Sequence, residues 1–211
     1  MTYHEVAILV TTFCNRQCPE CCYRIPGHEM LAPTHYDWAY FEHAATFLRG
    51  LAVLFISGGE PTVHPEFGRI LREFDALFEP DVLELITNGY NLPRYADEWH
   101  RLDRIIINDF SGDERSHAAV AAVQAWDPAR LVVEPGLHTD LKERGSGRPC
   151  MRRTIAAYAA GRLYPCCVAP GIPGAASMAP TRDWRETLER IPLACDRCCF
   201  SPAAEAPAEA A

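Results

Sequence analysis

Val6-Ala7-Ile8-Leu9-Val10, followed after three residues by Cys14-Asn15-Arg16-Gln17-Cys18-Pro19-Glu20-Cys21, is the stretch on which the reading of this chain turns. The first part is short, apolar and partly β-branched, which predicts a buried strand. The second part spaces its cysteines C-x3-C-x2-C on a loop at the C-terminal end of that strand. Three thiolates on one short loop can hold three irons of a 4Fe–4S cube and leave the fourth iron without a protein ligand. An open iron is a chemical site. A zinc ribbon would call for two C-x2-C pairs, and a disulfide scaffold for a small secreted chain. The opening residues Met1-Thr2-Tyr3-His4-Glu5 have no basic region, so no secretory leader is expected.

Working outward, strands and helices alternate. Thr34, with Asp37 three residues on, is suited to capping a helix in which Trp38, Phe41, Ala45 and Leu48 recur at helical spacing, and Gly50 supplies a stop. A strand is expected over Leu51 to Ile56 and a helix over Pro65 to Phe78, with Phe67, Ile70, Leu71, Phe74 and Leu77 on one side. Further strands are expected at Val82 to Ile86, Arg104 to Ile107 and Leu131 to Glu134. Helices are expected at about Pro93 to Trp99 and at Asp113 to Trp126. Such alternation predicts an α/β fold with a parallel sheet and right-handed crossovers. Five strands are too few for a closed eight-stranded barrel, and ligands belong at the C-terminal ends of the strands.

After Pro135 the pattern changes. Residues 136–149 are polar and Gly-rich and read as a linker. Ala159 to Cys166 suggests a hairpin, Trp184 to Ile191 a short helix, and the Pro/Ala/Glu-rich end from Ser201 a disordered tail. The expected division is therefore a core over 1–135, a linker over 136–149, a cysteine-rich appendage over 150–200 and a tail over 201–211.

Gly58-Gly59-Glu60-Pro61 lies just past the second expected strand, where residues without side chains let backbone groups approach a ligand closely. Together, the cysteine loop and this Gly-Gly-Glu turn resemble the radical S-adenosylmethionine (SAM) superfamily. The resemblance implies a partial, open (β/α) barrel of about five or six strands. It also implies SAM chelated to the open iron and reductively cleaved to methionine and a 5′-deoxyadenosyl radical that abstracts a substrate hydrogen. Gly58, Gly59 and Glu60 would bind the methionyl amine, and Asn88 of the Thr87-Asn88-Gly89 turn would lie close to SAM. Asp109, Ser111 and Glu134, at the ends of later strands, are further candidates; Ser111 and Asp113 are equally suited to capping the next helix. One departure from the family pattern is Glu20, which stands where many members place an aromatic residue beside the adenine. Tyr23 and Arg24 are read as loop-packing residues, and Cys22 as a small apolar one.

The 10 cysteines fall in two groups separated by a long cysteine-free stretch. Cys150, Cys166, Cys195 and Cys198 supply four thiolates, enough to saturate a second 4Fe–4S cluster. Cys167 and Cys199 leave that set open by one residue at two positions. The arrangement resembles the Twitch appendage, a short relative of the SPASM domain, found in dehydrogenases of inositol-derived amines and related to sulfatase- and peptide-modifying maturases. That resemblance implies a closed auxiliary cluster that takes up an electron. It therefore favours oxidation of a small molecule, with peptide modification as the alternative and an external flavodoxin or ferredoxin as electron donor. A zinc-stabilised α/β binding protein without catalysis is the competing class. Arg152, Arg153 and His117 are read as surface or packing residues.

Composition bounds the rest. At 211 residues the chain can bury a sizeable core, and 48% hydrophobic content is ordinary for a soluble globular protein. No apolar run approaches the roughly 20 residues of a membrane span. A net charge of -8 argues against a general nucleic-acid surface. Lys142 is the only lysine, which reads as codon bias. Thiols serving oxygen-sensitive clusters lead us to expect the cytoplasm.

Overall fold

The structure, a computed structural model, describes residues 3–18, 21, 32–109, 113–135, 155–167, 169–171 and 175–191. Seven strands form one sheet: β1 (Glu5–Thr11), β2 (Val53–Gly58), β3 (Val82–Thr87), β4 (Arg104–Asp109), β5 (Leu131–Pro135), β6 (Ile155–Ala159) and β7 (Arg162–Tyr164), in the order β5-β4-β3-β2-β1-β6-β7. All pairings are parallel except β6 with β7. The helices are α1 (Trp38–Leu48), α2 (Phe67–Phe78), α3 (Glu114–Trp126) and α4 (Trp184–Glu189). The short helix expected near Pro93 is a 3-10 segment, Leu92–Arg101.

Strands β1 to β5 follow one another across the sheet without reversal. Right-handed crossovers in one direction put every connecting helix on the same face. The packing agrees. Val6, Ile8 and Val10 of β1 join Leu54, Ile56, Leu83, Leu85, Ile105 and Ile107 in one core with Phe41, Phe67, Phe74, Phe78 and Val123 of the helices. Each fully buried Leu, Ile or Phe contributes about 1.5–3 kcal/mol of burial. The opposite face carries a separate, smaller cluster of Ala7, Phe55, Ile106 and Cys167, with Ile86, Val132 and Ile155 packed against it. This one-sided cover is the architecture of a partial barrel, and the second face is its inner wall.

One local expectation is corrected. The cap of α1 is Asp37 itself, whose side chain accepts from the Tyr40 N–H at 3.0 Å. Thr34 instead exchanges hydrogen bonds with Thr12 beyond β1, its N–H donating to Thr12 Oγ1 at 2.7 Å. On α2, Leu77 packs against the same core as Phe67, Ile70, Leu71 and Phe74, as expected, and Phe78 is buried with them.

The hairpin foreseen between Ala159 and Cys166 spans Ile155 to Tyr164, and it does not stand apart. β6 lies parallel against β1, Ala7 opposite Ala157. The hairpin therefore extends the main sheet, and α4 seals it: the Trp184 indole N–H donates to the Phe47 carbonyl at 2.9 Å, and Arg185 to that of Tyr3 at 2.9 Å. Among the described residues, no helix is long and apolar enough to cross a membrane.

Candidate active site

The C-terminal ends of β1, β2 and β3 meet in a rim of three turns bonded to one another. Past β1 the chain runs out through Thr11 to Phe13 into the cysteine loop. The Gly59 N–H donates to the Thr11 carbonyl and the Glu60 N–H to that of Phe13, both at 2.8 Å. A Cβ on Gly58 would overlap the Thr11 carbonyl oxygen, and one on Gly59 that of Phe13; Gly58 also has φ +145°. The sequence suggested that these glycines make room for a ligand. Within the chain their nearest neighbour is its own backbone, so they also permit the close docking of the cysteine loop on β2.

Glu60 is 1% exposed, and its carboxylate is filled by internal donors. Oε1 accepts from the Thr62 N–H (3.1 Å), the Thr62 hydroxyl (2.6 Å) and the Thr87 hydroxyl (2.6 Å), and Oε2 accepts from the Asn88 N–H (2.7 Å). Burial pushes its pKa up, while these bonds pull it down. Asn88 extends the chain of contacts: its amide nitrogen donates to Asn15 Oδ1 at 2.8 Å, inside the cysteine loop. Its carbonyl receives the Ser116 hydroxyl of α3 at 3.1 Å. One buried carboxylate and one amide thus join the Gly-Gly-Glu turn, the Thr-Asn-Gly turn and the cysteine loop.

Cys14, Cys18 and Cys21 sit on this loop, with the Cys21 N–H turned back to the Cys18 carbonyl at 3.2 Å. Burial pushes the Cys14 thiol up to about 11. A backbone hydrogen bond from Arg16 opposes this, and Glu60, Cys18 and Cys21 add to the rise. A thiol that resists ionisation on its own is deprotonated when a metal replaces its proton. Among the described residues, no three His, Cys, Asp or Glu side chains gather as ligands of one metal ion. A 4Fe–4S cube takes each thiolate on a different iron and so spans more widely than a single ion. Three soft donors on one loop fit the cube.

Other expected site residues are more scattered. Asp109 closes β4 opposite Pro135, and Glu134 lies opposite Asn108, exposed at the same rim. Ser111, Cys150, Cys195 and Cys198 lie outside the described residues, as do Cys22, Tyr23, Arg24, Arg152, Arg153, Cys199, the linker and the tail. His117 is exposed on α3. Cys166 is half-buried and Cys167 buried, both against the inner-face cluster. The Tyr3 hydroxyl donates to the Pro165 carbonyl at 2.9 Å, which sets this pair of cysteines near the start of β1, away from the rim.

The sequence reading passed over several residues. Asn108 shares the alternation of Arg104 and Ile106, so period two along β4 would have placed it on the inner face at the rim. Glu84 is 2% exposed and pairs with Arg104 at 2.8 Å, on the same face as Phe55. Burial raises its pKa. Arg104 opposes the shift, while Glu5, Asp103 and Glu134 add to it. Arg16 and Tyr90 had no local signal at all, and Asp113 was legible only as the cap of α3, which it is.

A sequence profile described as the radical SAM superfamily matches residues 8–130. No curated protein sequence matches the chain. Among solved structures, BtrN in complex with AdoMet and 2-DOIA is similar at 18% identity and TM-score 0.63, over 80% of this chain and 74% of that one. BtrN in an open conformation is similar at 16% identity and TM-score 0.54, over 79% and 71%. Streptococcus suis SuiB bound to precursor peptide SuiA is similar at 11% identity and TM-score 0.50, over 96% and 71%. At such identities the structures speak for the fold, while the profile covers more than half of the chain, including the cysteine loop and both glycine turns. The chain belongs to the radical SAM superfamily.

Proposed function

We propose that the chain is a radical SAM oxidoreductase acting on a small molecule. Cys14, Cys18 and Cys21 hold a 4Fe–4S cluster; Gly58, Gly59, Asn88, Asp109, Ser111 and Glu134 contact SAM. Glu60 acts through the two turns it ties together. When bound, the cluster supplies the electron that cleaves SAM and so starts hydrogen abstraction from the substrate. The observation that carries the reading is the convergence of the cysteine loop, the Gly-Gly-Glu turn and the Thr-Asn-Gly turn through Glu60 and Asn88.

The inner face completes the reading. Phe55, Ile86, Ile106 and Val132 form an apolar wall below the rim that excludes water from a reactive site. The described residues have two buried carboxylates. Glu60 is saturated, and Glu84 is paired with Arg104 at the N-terminal end of β4, away from the rim.

Cys150, Cys166, Cys195 and Cys198, within an appendage over 150–200, would hold an auxiliary 4Fe–4S cluster, which would supply an acceptor for the second electron. β1 has seven residues, about 23 Å of extended chain. Cys14 follows one end of it and Cys166 lies near the other, so the two thiols would not share one cluster. A flavodoxin or ferredoxin donor and the cytoplasm complete the proposal. The second reading, peptide modification, draws on the likeness to SuiB, which was solved with its precursor peptide.

Anaerobic purification tests the function. The proposal expects a brown protein with about eight irons per chain that forms 5′-deoxyadenosine from SAM under dithionite. Cys166→Ser should lower the iron to about four, and Cys167→Ser should not. A colourless zinc protein refutes the reading, and about four irons in the wild type refutes the auxiliary cluster alone.

A further inference from the structure

Arg16 lies inside the cysteine motif, between Cys14 and Cys18, yet its partners are remote in sequence. Its guanidinium forms an ion pair with Asp113 Oδ2 and donates to the Tyr90 hydroxyl, and that hydroxyl donates to the same Asp113 oxygen. The Arg115 guanidinium lies over the Tyr90 ring, 4.1 Å from its centroid. Arg16 and Asp113 are 22% and 18% exposed, so solvent screens the pair only in part.

Asp113 divides its carboxylate between two tasks. Oδ1 caps α3, accepting from the N–H groups of Arg115 at 3.0 Å and Ser116 at 3.4 Å. Oδ2 receives Arg16 and Tyr90. The network therefore joins three elements: the cysteine loop, the turn after β3 and the start of α3. Burial works against the Arg16 charge, and Cys18, Tyr90 and Asp113 more than restore it.

We propose that Arg16 is a positioning residue that latches the cysteine loop to α3 and holds a positive charge beside the cluster, with Asp113 setting how much of that charge the cluster feels. The proposal rests on the reading of Cys14, Cys18 and Cys21 as cluster ligands. A fixed cation favours the more negative, reduced cluster and raises its reduction potential; the Asp113 carboxylate offsets it. The two halves of the pair thus act with opposite sign on the potential, and with the same sign on loop position.

The test compares wild type, Arg16→Gln, Arg16→Lys and Asp113→Asn after anaerobic reconstitution. It reads iron and sulfide per chain and the midpoint potential by EPR-monitored titration with dithionite. Asn keeps an oxygen to cap α3 but removes the acceptor of Arg16, so helix loss does not confuse the result. The midpoint should move negative in Arg16→Gln and positive in Asp113→Asn, and stay near wild type in Arg16→Lys. Cluster content should fall at least twofold in Arg16→Gln. Shifts of the same sign, or unmoved midpoints in loaded variants, overturn the proposal. Should Arg16→Gln not load, the sign in Asp113→Asn decides alone. A wild type that takes up no cluster defeats the proposed function together with this inference, whereas a loaded wild type with unmoved variants defeats the latch only.

Discussion

Replacing Glu60 probes the joint on which the rim depends. Its carboxylate takes four donors, two of them backbone N–H groups that cannot turn away: Thr62 at 3.1 Å and Asn88 at 2.7 Å. Glu60→Ala strands both in a buried site, at about 1–3 kcal/mol each. The Thr62 and Thr87 hydroxyls can rotate to other acceptors, and water can enter the vacated space, so the expected loss is about 3–4 kcal/mol. Glu60→Gln keeps one carbonyl oxygen for the three donors to Oε1 and sets an NH2 group against the Asn88 N–H. It also spares the cost of burying a charge, which leaves a net loss of about 1–2 kcal/mol. Anaerobic urea unfolding of the cluster-free protein, followed by far-UV circular dichroism, gives both values. A loss under about 1 kcal/mol for Ala, or a Gln variant less stable than Ala, would refute the claim that this carboxylate holds the two turns together.

Three other outcomes follow from the same geometry. Gly59→Ala drives a methyl group into the Phe13 carbonyl; it should cost about 1–3 kcal/mol and at least half the iron uptake, and wild-type iron content would count against the docking role of this glycine. Tyr158→Phe removes the one buried side-chain polar atom without a partner among the described residues; thermal or urea unfolding should show a gain of about 1 kcal/mol, and a loss would show that the hydroxyl is satisfied. Glu84 has a pKa raised by burial, so between the ordinary glutamate value and its own the folded state binds more protons than the unfolded. Stability therefore falls as pH rises through that window, and Glu84→Gln should flatten the fall; an unchanged slope of urea midpoint against pH would contradict it.

The alternation of strands and helices was legible because each element carries its own period. Ile8 and Val10 repeat every second residue on one face, and Phe67, Ile70, Leu71 and Phe74 every third or fourth. Element ends were less so. Thr34 and Asp37 both suit a cap, and the choice fell to Asp37 because Thr34 is engaged by Thr12 across the chain. The place of the hairpin was not legible at all. Pairing of β6 with β1 joins residues some 150 apart, and neither strand's composition names its neighbour.

The sequence alone determined that three thiols would share one loop, because ligand spacing within eight residues is fixed by covalent geometry. It likewise determined a parallel sheet with its ligands at one rim, through the handedness of the crossovers. Tertiary structure decided what holds that rim together. Glu60 finds Asn88 across 28 residues, Asn15 meets Asn88 across 73, and Arg16 reaches Asp113 across 97. Those contacts depend on strand register and on the depth at which each side chain is buried. Both are properties of the assembled sheet, and no window of sequence contains them.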